Sequence, residues 1–255
     1  MTRVAIVTQQ RTGSTLLLRC LNAHSQAWCP TVEFYVKRRW WDNLLCICQS
    51  ADMLNDFYAE GLIRPELLES LSSDHPFRDP GTHKGSAPVR GAKIMHNQLL
   101  TTPRLDRYVV TNTDIRIIHL RRENLLKQHV SNMLNKRKRI YRRASHTTKP
   151  VPVARIRINP RYAIVKMRMS KMLYAWYDRR LSRHPKIEMV YEEMIGGKGL
   201  SDSATALVCA FLGVPPEPLE TDLVKMNPDD LRLIITNYDE VARALVGTEF
   251  EQYLD

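Results

Sequence analysis

Short apolar runs alternate with longer stretches of helical spacing along the chain. Val4–Val7 is a compact β-branched and apolar run and predicts a buried strand. Ser14–Ala23 follows, with Leu16, Leu17, Leu18 and Leu21 spaced as a helix packed on a sheet. Residues 37–72 have helical character, through Trp40, Leu44, Leu45 and Ile47 and then Met53, Leu54 and Phe57. The stretch His75–Arg90 is broken by Pro76, Pro80, Gly81, Gly85 and Pro88 and predicts a loop. Further short strands are predicted at Gly91–His96, Arg116–Leu120 and Ile187–Tyr191. Helices are predicted over Asn124–Asn135, Arg161–Arg183, Ser201–Leu212 and Asp239–Leu245, the third ended by Gly213 with Pro215 and Pro216 beyond. Residues 136–160 are basic and punctuated by proline, and predict a mobile or inserted loop.

Strands alternating with helices predict an α/β fold whose parallel sheet is covered on both faces. Ligands in such folds bind where strands end and helices begin. Two junctions therefore draw attention, after Val7 and after Leu120. The 255 residues fit one domain over 1–255, with a helical insertion around 37–90 and the basic loop around 136–160. Hydrophobic residues at 44% and charged residues at 25% belong to a globular chain. The five cysteines (Cys20, Cys29, Cys46, Cys48, Cys209) are odd in number and irregular in spacing, which favours reduced thiols over disulfides or a zinc site. The apolar run near Met1 is too short for a signal peptide, and no stretch reaches the length of a membrane helix, so a cytoplasmic location is expected. The formal charge of +11 attracts polyanions without choosing among nucleic acid, anionic lipid and a charged nucleotide.

The first junction reads Gln10-Arg11-Thr12-Gly13-Ser14-Thr15-Leu16. A strand, a tight loop with glycine and a helix N-terminus offer free N–H groups to an anion. Ser14 and Thr15 add hydroxyls, and Arg11 adds a permanent charge with a planar donor fork. The same residues also suit an ordinary helix cap, with Thr12 or Ser14 as the capping side chain. The Walker pattern is absent: the loop holds no lysine and one glycine, which weakens a kinase or ATPase reading. At the second junction Arg122 sits just past the strand and Ser131 lies nine residues on. An arginine fork with a hydroxyl is a natural clamp for a monophosphate, though each residue could equally be a solvated surface group.

Taken together, these junctions resemble the two donor-binding motifs of sulfotransferases that use 3′-phosphoadenosine 5′-phosphosulfate (PAPS). Arg11-Thr12-Gly13-Ser14-Thr15 resembles the 5′-phosphosulfate loop, where the cytosolic branch usually carries lysine at the position of Arg11. Arg122 with Ser131 resembles the 3′-phosphate motif. The Arg122 segment is similar to that of the bacterial trehalose and nodulation-factor branch, as is Cys29-Pro30-Thr31-Val32-Glu33-Phe34. Val190-Tyr191-Glu192-Glu193-Met194 resembles a strand end of the family, and Lys225-Met226-Asn227-Pro228 through Ile235-Thr236-Asn237-Tyr238 its C-terminal block.

The resemblance implies a P-loop-type parallel sheet and transfer of a sulfuryl group from PAPS to a hydroxyl of a small-molecule, saccharide or glycolipid acceptor, leaving 3′-phosphoadenosine 5′-phosphate (PAP). It implies Arg11 at the bridging oxygen and 5′-phosphate, Thr12, Gly13, Ser14 and Thr15 as donors to the same anion, and Arg122 with Ser131 on the 3′-phosphate. Glu33 is the first choice of general base and His96 the second, and Lys93 would touch the transferring oxygens. No metal is expected, and a homodimer is among the arrangements the resemblance allows. The run Lys136-Arg137-Lys138-Arg139 invites a nucleic-acid reading but carries no recognisable binding motif, so neither nucleic acid nor stable membrane insertion is expected. The competing readings are a P-loop small-molecule kinase and a non-enzymatic polyanion-binding protein.

Overall fold

The structure, a computed structural model, describes residues 1–30, 43–63, 86–140, 154–223 and 227–254; the side chains of 43–49 and 137–140 lie outside the description. Contacts divide it into two compact units.

The first unit comprises residues 1–9, 13–121 and 176–221. It holds a sheet of five parallel strands: β1 (Thr2–Thr8), β2 (Ala27–Trp28), β3 (Val89–Met95), β4 (Arg116–Arg121) and β5 (Lys186–Val190), in the order β2-β3-β1-β4-β5. The α/β class expected from the sequence is therefore observed. The period of two along β1 separates two cores. Ala5 and Val7 face one core with Trp28, Phe57, Ile94, Leu105 and Ile117. Val4 and Ile6 face the other with Leu17, Leu21, Ile118, Leu120 and Val208. The first core is covered by α2 (Asn43–Glu60), α3 (His96–Thr101) and α4 (Pro103–Thr111), the second by α1 (Ser14–Ala23). Tyr58 joins α2 to the sheet by donating its hydroxyl proton to the Val4 carbonyl.

The second unit comprises residues 10–12, 122–175 and 222–255. It contains α5 (Leu125–Ile140) and most of α6 (Pro160–Arg180). Beyond these, α7 (Tyr191–Met194) and α8 (Asp202–Leu212) belong to the first unit, and α9 (Tyr238–Leu245) to the second. In the second unit Leu126, Val130, Ile158, Met167, Ile234, Val241 and Phe250 form one apolar core. Asn237 clasps the approach to α6. Its side-chain oxygen accepts from the Ile158 N–H at 2.9 Å and its amide donates to the Ile158 carbonyl at 2.8 Å.

Several predicted boundaries move. The helix expected over Asn124–Asn135 runs on to Ile140, so the basic stretch begins as helix rather than loop. At its other end Ile156 pairs with Ile235 in a short parallel bridge. The strand β3 starts at Val89, inside the predicted loop. Of the helical region predicted over 37–72, Asn43–Glu60 is helix, and residues 37–42 and 64–72 lie outside the described residues.

Candidate functional site

The two junctions singled out in the sequence leave neighbouring strands of the first unit. Thr8 pairs with Leu120 in the register of β1 and β4, and the Thr8 hydroxyl donates to the Leu120 carbonyl at 2.6 Å. The strand ends are thereby locked level. From one the chain continues into Gln10–Thr12, from the other into Arg122.

Arg11 has φ of 66°, the left-handed region that L-residues enter at a cost of about 1–2 kcal/mol. A non-glycine residue held there is an outlier of the kind that gathers at ligand-binding loops. Gly13, with φ of 79°, is the N-cap of α1, a residue with no side chain of its own to cap the helix. Arg11 and Gly13 are thus two left-handed residues separated only by Thr12, at the entry to α1. Gly13 is required on a second count: a Cβ there would lie 2.2 Å from the Tyr191 ring. Thr12, Ser14 and Thr15 are all buried.

Within the second unit Arg11, Arg122 and Ser131 come together. Arg11 Nε donates to Ser131 Oγ at 3.0 Å. Arg122 Nη1 lies 3.5 Å from the Arg11 carbonyl, at the outer limit of a hydrogen bond. Gln128 Nε2 donates to the Gln10 carbonyl at 2.8 Å, and its own side-chain oxygen accepts from Tyr174 at 3.4 Å. The spacing explains the grouping. Gln128 and Ser131 are three apart on α5 and so share a helix face. Asn124 fixes where that helix starts, its Oδ1 accepting from the Lys127 N–H at 2.8 Å in cap geometry. Two guanidiniums and a hydroxyl brought together in this way are able to hold an anion. No role for Gln128 or Tyr191 was read from the sequence. The i, i+3 relation to Ser131 was the available signal for the first; nothing local could reveal that the Tyr191 ring fills the space beneath Gly13.

The remaining candidates lie elsewhere. Lys93 is mid-strand in β3, opposite Ile6 and buried. His96 opens α3 with 1% of its surface exposed, stacked on Tyr177 at 4.4 Å and tilted against His119 at 5.5 Å. Burial first, and the neighbouring His119 second, push its pKa down to about 3. His119 is pushed down to about 4, mainly by burial and then by Lys186. Glu33 lies outside the described residues.

His119, Asp178 and Glu188 bring possible metal ligands within 4.8 Å of one another. These carboxylates already answer cations: Lys186 donates to Asp178, which lowers its pKa, and lies 4.0 Å from Glu188. The group reads as an ion-pair network. A cavity of about 660 Å³ in the second unit, lined by Arg157, Asn159, Arg161 and Glu240, contains none of the loop residues. The loop's chemistry and not this cavity marks the candidate site.

No known family pattern matches the chain, and no curated protein matches it. Among solved structures it is similar to the crystal structure of a sulfotransferase from Alicyclobacillus acidocaldarius, with a TM-score of 0.43 and 15% identity over 100% of this chain and 96% of that one.

Proposed function

We propose that the chain is a PAPS-dependent sulfotransferase acting on a hydroxyl of a saccharide or other small acceptor. The observation that carries this reading is the meeting of Arg11, Arg122 and Ser131 beside a backbone held left-handed at Arg11. Two fixed cations and a hydroxyl beside a strained backbone suit a polyanion with a terminal monophosphate. The absent Walker lysine turns the reading away from a nucleoside triphosphate.

Bound PAPS would supply an activated sulfuryl group with PAP as its leaving group. Arg122 and Ser131 hold the 3′-phosphate. An arriving phosphate displaces the bond from Arg11 to Ser131, which frees the Arg11 guanidinium to steady charge on the 5′ side. Thr12, Gly13, Ser14 and Thr15 donate to that same end. Such transfers depend on alignment and fixed positive charge more than on covalent help from the protein. In the transfer the acceptor oxygen forms a bond to sulfur, the bond from sulfur to the 5′-phosphate oxygen breaks, and the acceptor proton goes to a base. Glu33 is assigned that role by its place in the motif. The buried His96, with its depressed pKa, takes second place, and Lys93 stands as the group for the transferring oxygens.

Thermal stabilisation tests the reading. A ligand at a hundred times its Kd adds about 2.7 kcal/mol of stability. PAP should raise the melting temperature clearly, adenosine 5′-phosphate less, and ATP with magnesium not at all. Arg122→Ala should weaken PAP by roughly 10- to 100-fold, the worth of charge-assisted hydrogen bonds. Glu33→Gln should keep PAP binding and lose turnover with labelled PAPS. Equal stabilisation by PAP and adenosine 5′-phosphate would remove the 3′-phosphate clamp and the proposal with it.

A further inference from the structure

The helix α6 is apolar on two faces. One face, with Ala163, Met167 and Tyr174, is buried in the core of the second unit. The other carries Tyr162, Val165, Met169 and Met172, which are 44%, 52%, 47% and 71% exposed. Their steps of three, four and three residues place them in one stripe about 15 Å long. Large apolar side chains scattered singly need no explanation, but a continuous stripe does.

Cations flank the stripe. Arg161 and Arg168 are exposed on one side, and Lys171 lies beyond them. On the other side Lys166 lies along the stripe, its amino group 5.4 Å from the centre of the Tyr162 ring and 4.0 Å from Met169 Sδ. Lys136 on α5 adds to the same field, since with Lys166 it helps depress the buried His129. From Pro160 to Tyr177 the helix carries no acidic residue. Glu249 accepts from both Arg168 and Lys171 and answers only part of the charge.

We propose that this outward face of α6 rests on an anionic phospholipid surface, its apolar stripe at the level of the acyl boundary and its cations among the headgroups. An apolar strip between basic flanks is the composition of a helix that lies in a membrane interface. Among the described residues no helix is long and apolar enough to cross a membrane, so α6 lies on the surface and does not span. Two observations disfavour a second copy as the occupant. A two-fold contact would set these cations against one another. In addition, a strip of four side chains offers on the order of 300 Å² per partner, short of the roughly 800 Å² a stable dimer buries. Lys166 lies along the stripe, as a long basic side chain does at a lipid boundary.

Co-sedimentation of the full chain with vesicles tests the proposal. The protein should pellet with vesicles of phosphatidylcholine and phosphatidylserine in equal parts, and fail to pellet with phosphatidylcholine alone or at high salt. Met169→Asp/Met172→Asp should weaken binding by roughly tenfold or more. Lys166→Gln should weaken it by about fivefold, the effect of one basic side chain near an anionic leaflet. Circular dichroism establishes that the variants fold; Met172→Gln alone, at the most exposed position, serves if the aspartate pair does not. Failure of the unaltered chain to bind anionic vesicles overturns the proposal. So does unchanged binding by the variants, which would assign the attraction to net charge alone. A dimer in sedimentation equilibrium that Met172→Gln dissociates, with no vesicle binding, would assign the stripe to a second copy. PAP stabilisation is indifferent to all these outcomes, so the sulfotransferase reading stands or falls separately.

Discussion

Two groups of ionisable side chains lie in or just beyond the strands of this molecule, and they have opposite fates. In the first unit His96 lies buried against Tyr177 and His119 against His96, and burial pushes the pKa of both rings down. In the second, Arg11 and Arg122 keep their charge, half-buried beside the Ser131 hydroxyl. Histidine can shed its proton to enter a core, whereas arginine cannot and must be given a partner or a ligand. The difference separates a packing solution from a binding one, even though both sets of residues are equally polar in the sequence.

The largest expected effect tests the histidine half of that contrast. Their folded pKa values lie below the ordinary histidine value, so the unfolded chain takes up protons that the folded chain refuses. Stability should be full above about pH 6.5 and fall as the pH drops toward the folded values of about 3 and about 4. At about pH 5 the loss is about 2 kcal/mol per histidine. Urea unfolding across this range should show the slope, and His96→Phe should make it shallower by one proton. An unchanged slope in that variant would mean the ring is not held neutral by its burial.

Next in size is the loop. Gly13→Ala must accept both a left-handed backbone and a collision with Tyr191, and should cost about 3 kcal/mol. Tyr191→Ala should restore part of that loss in the double variant, because the space beneath residue 13 is then open. Additive losses in the double-variant cycle would rule out the ring as the cause.

The smallest stability change is also the sharpest test of the contrast. Arg11→Gly relieves the left-handed backbone and loses the bond to Ser131, so stability should stay within about 1 kcal/mol of the parent. PAP-dependent stabilisation should nevertheless disappear. A large drop in melting temperature without ligand would instead make Arg11 a structural residue, and the two clusters would no longer differ in kind.

Much of this was legible in the sequence. The unbroken apolar run Val4–Val7 and the β-branched run Arg116–Leu120 marked the strands whose ends position the loop, because buried parallel strands need continuous apolar residues. Helix α1 was found at its observed bounds, since Gly13 and the leucine spacing mark it. The strand β2 was not legible: two residues, Ala27 and Trp28, are too few to show a period. Helices α3 and α4 were passed over because they are short and packed by tertiary contact, with Leu99, Leu105 and Val109 supplying their buried side. Arg122 and Ser131 were set beside one another by their resemblance to a motif and not by spacing. Their meeting with Arg11 could not be read, because it joins positions 120 residues apart. Nor does a sequence tell that Lys93 and His96 have gone inside, for a polar residue at a strand end reads the same whether it faces water or a neighbouring ring.

The clasp at Asn237 has a consequence for anyone building hybrids of this chain. One amide both gives to and takes from a single peptide unit at Ile158, imitating a neighbouring strand with a side chain. Aspartate would lack the giving half, and glutamine would overshoot by a methylene. The C-terminal stretch is thus keyed to the approach to α6 by shape and polarity together. A transplanted tail would have to bring the matching residue at the same register, or the borrowed segment would leave a peptide unanswered in the interior.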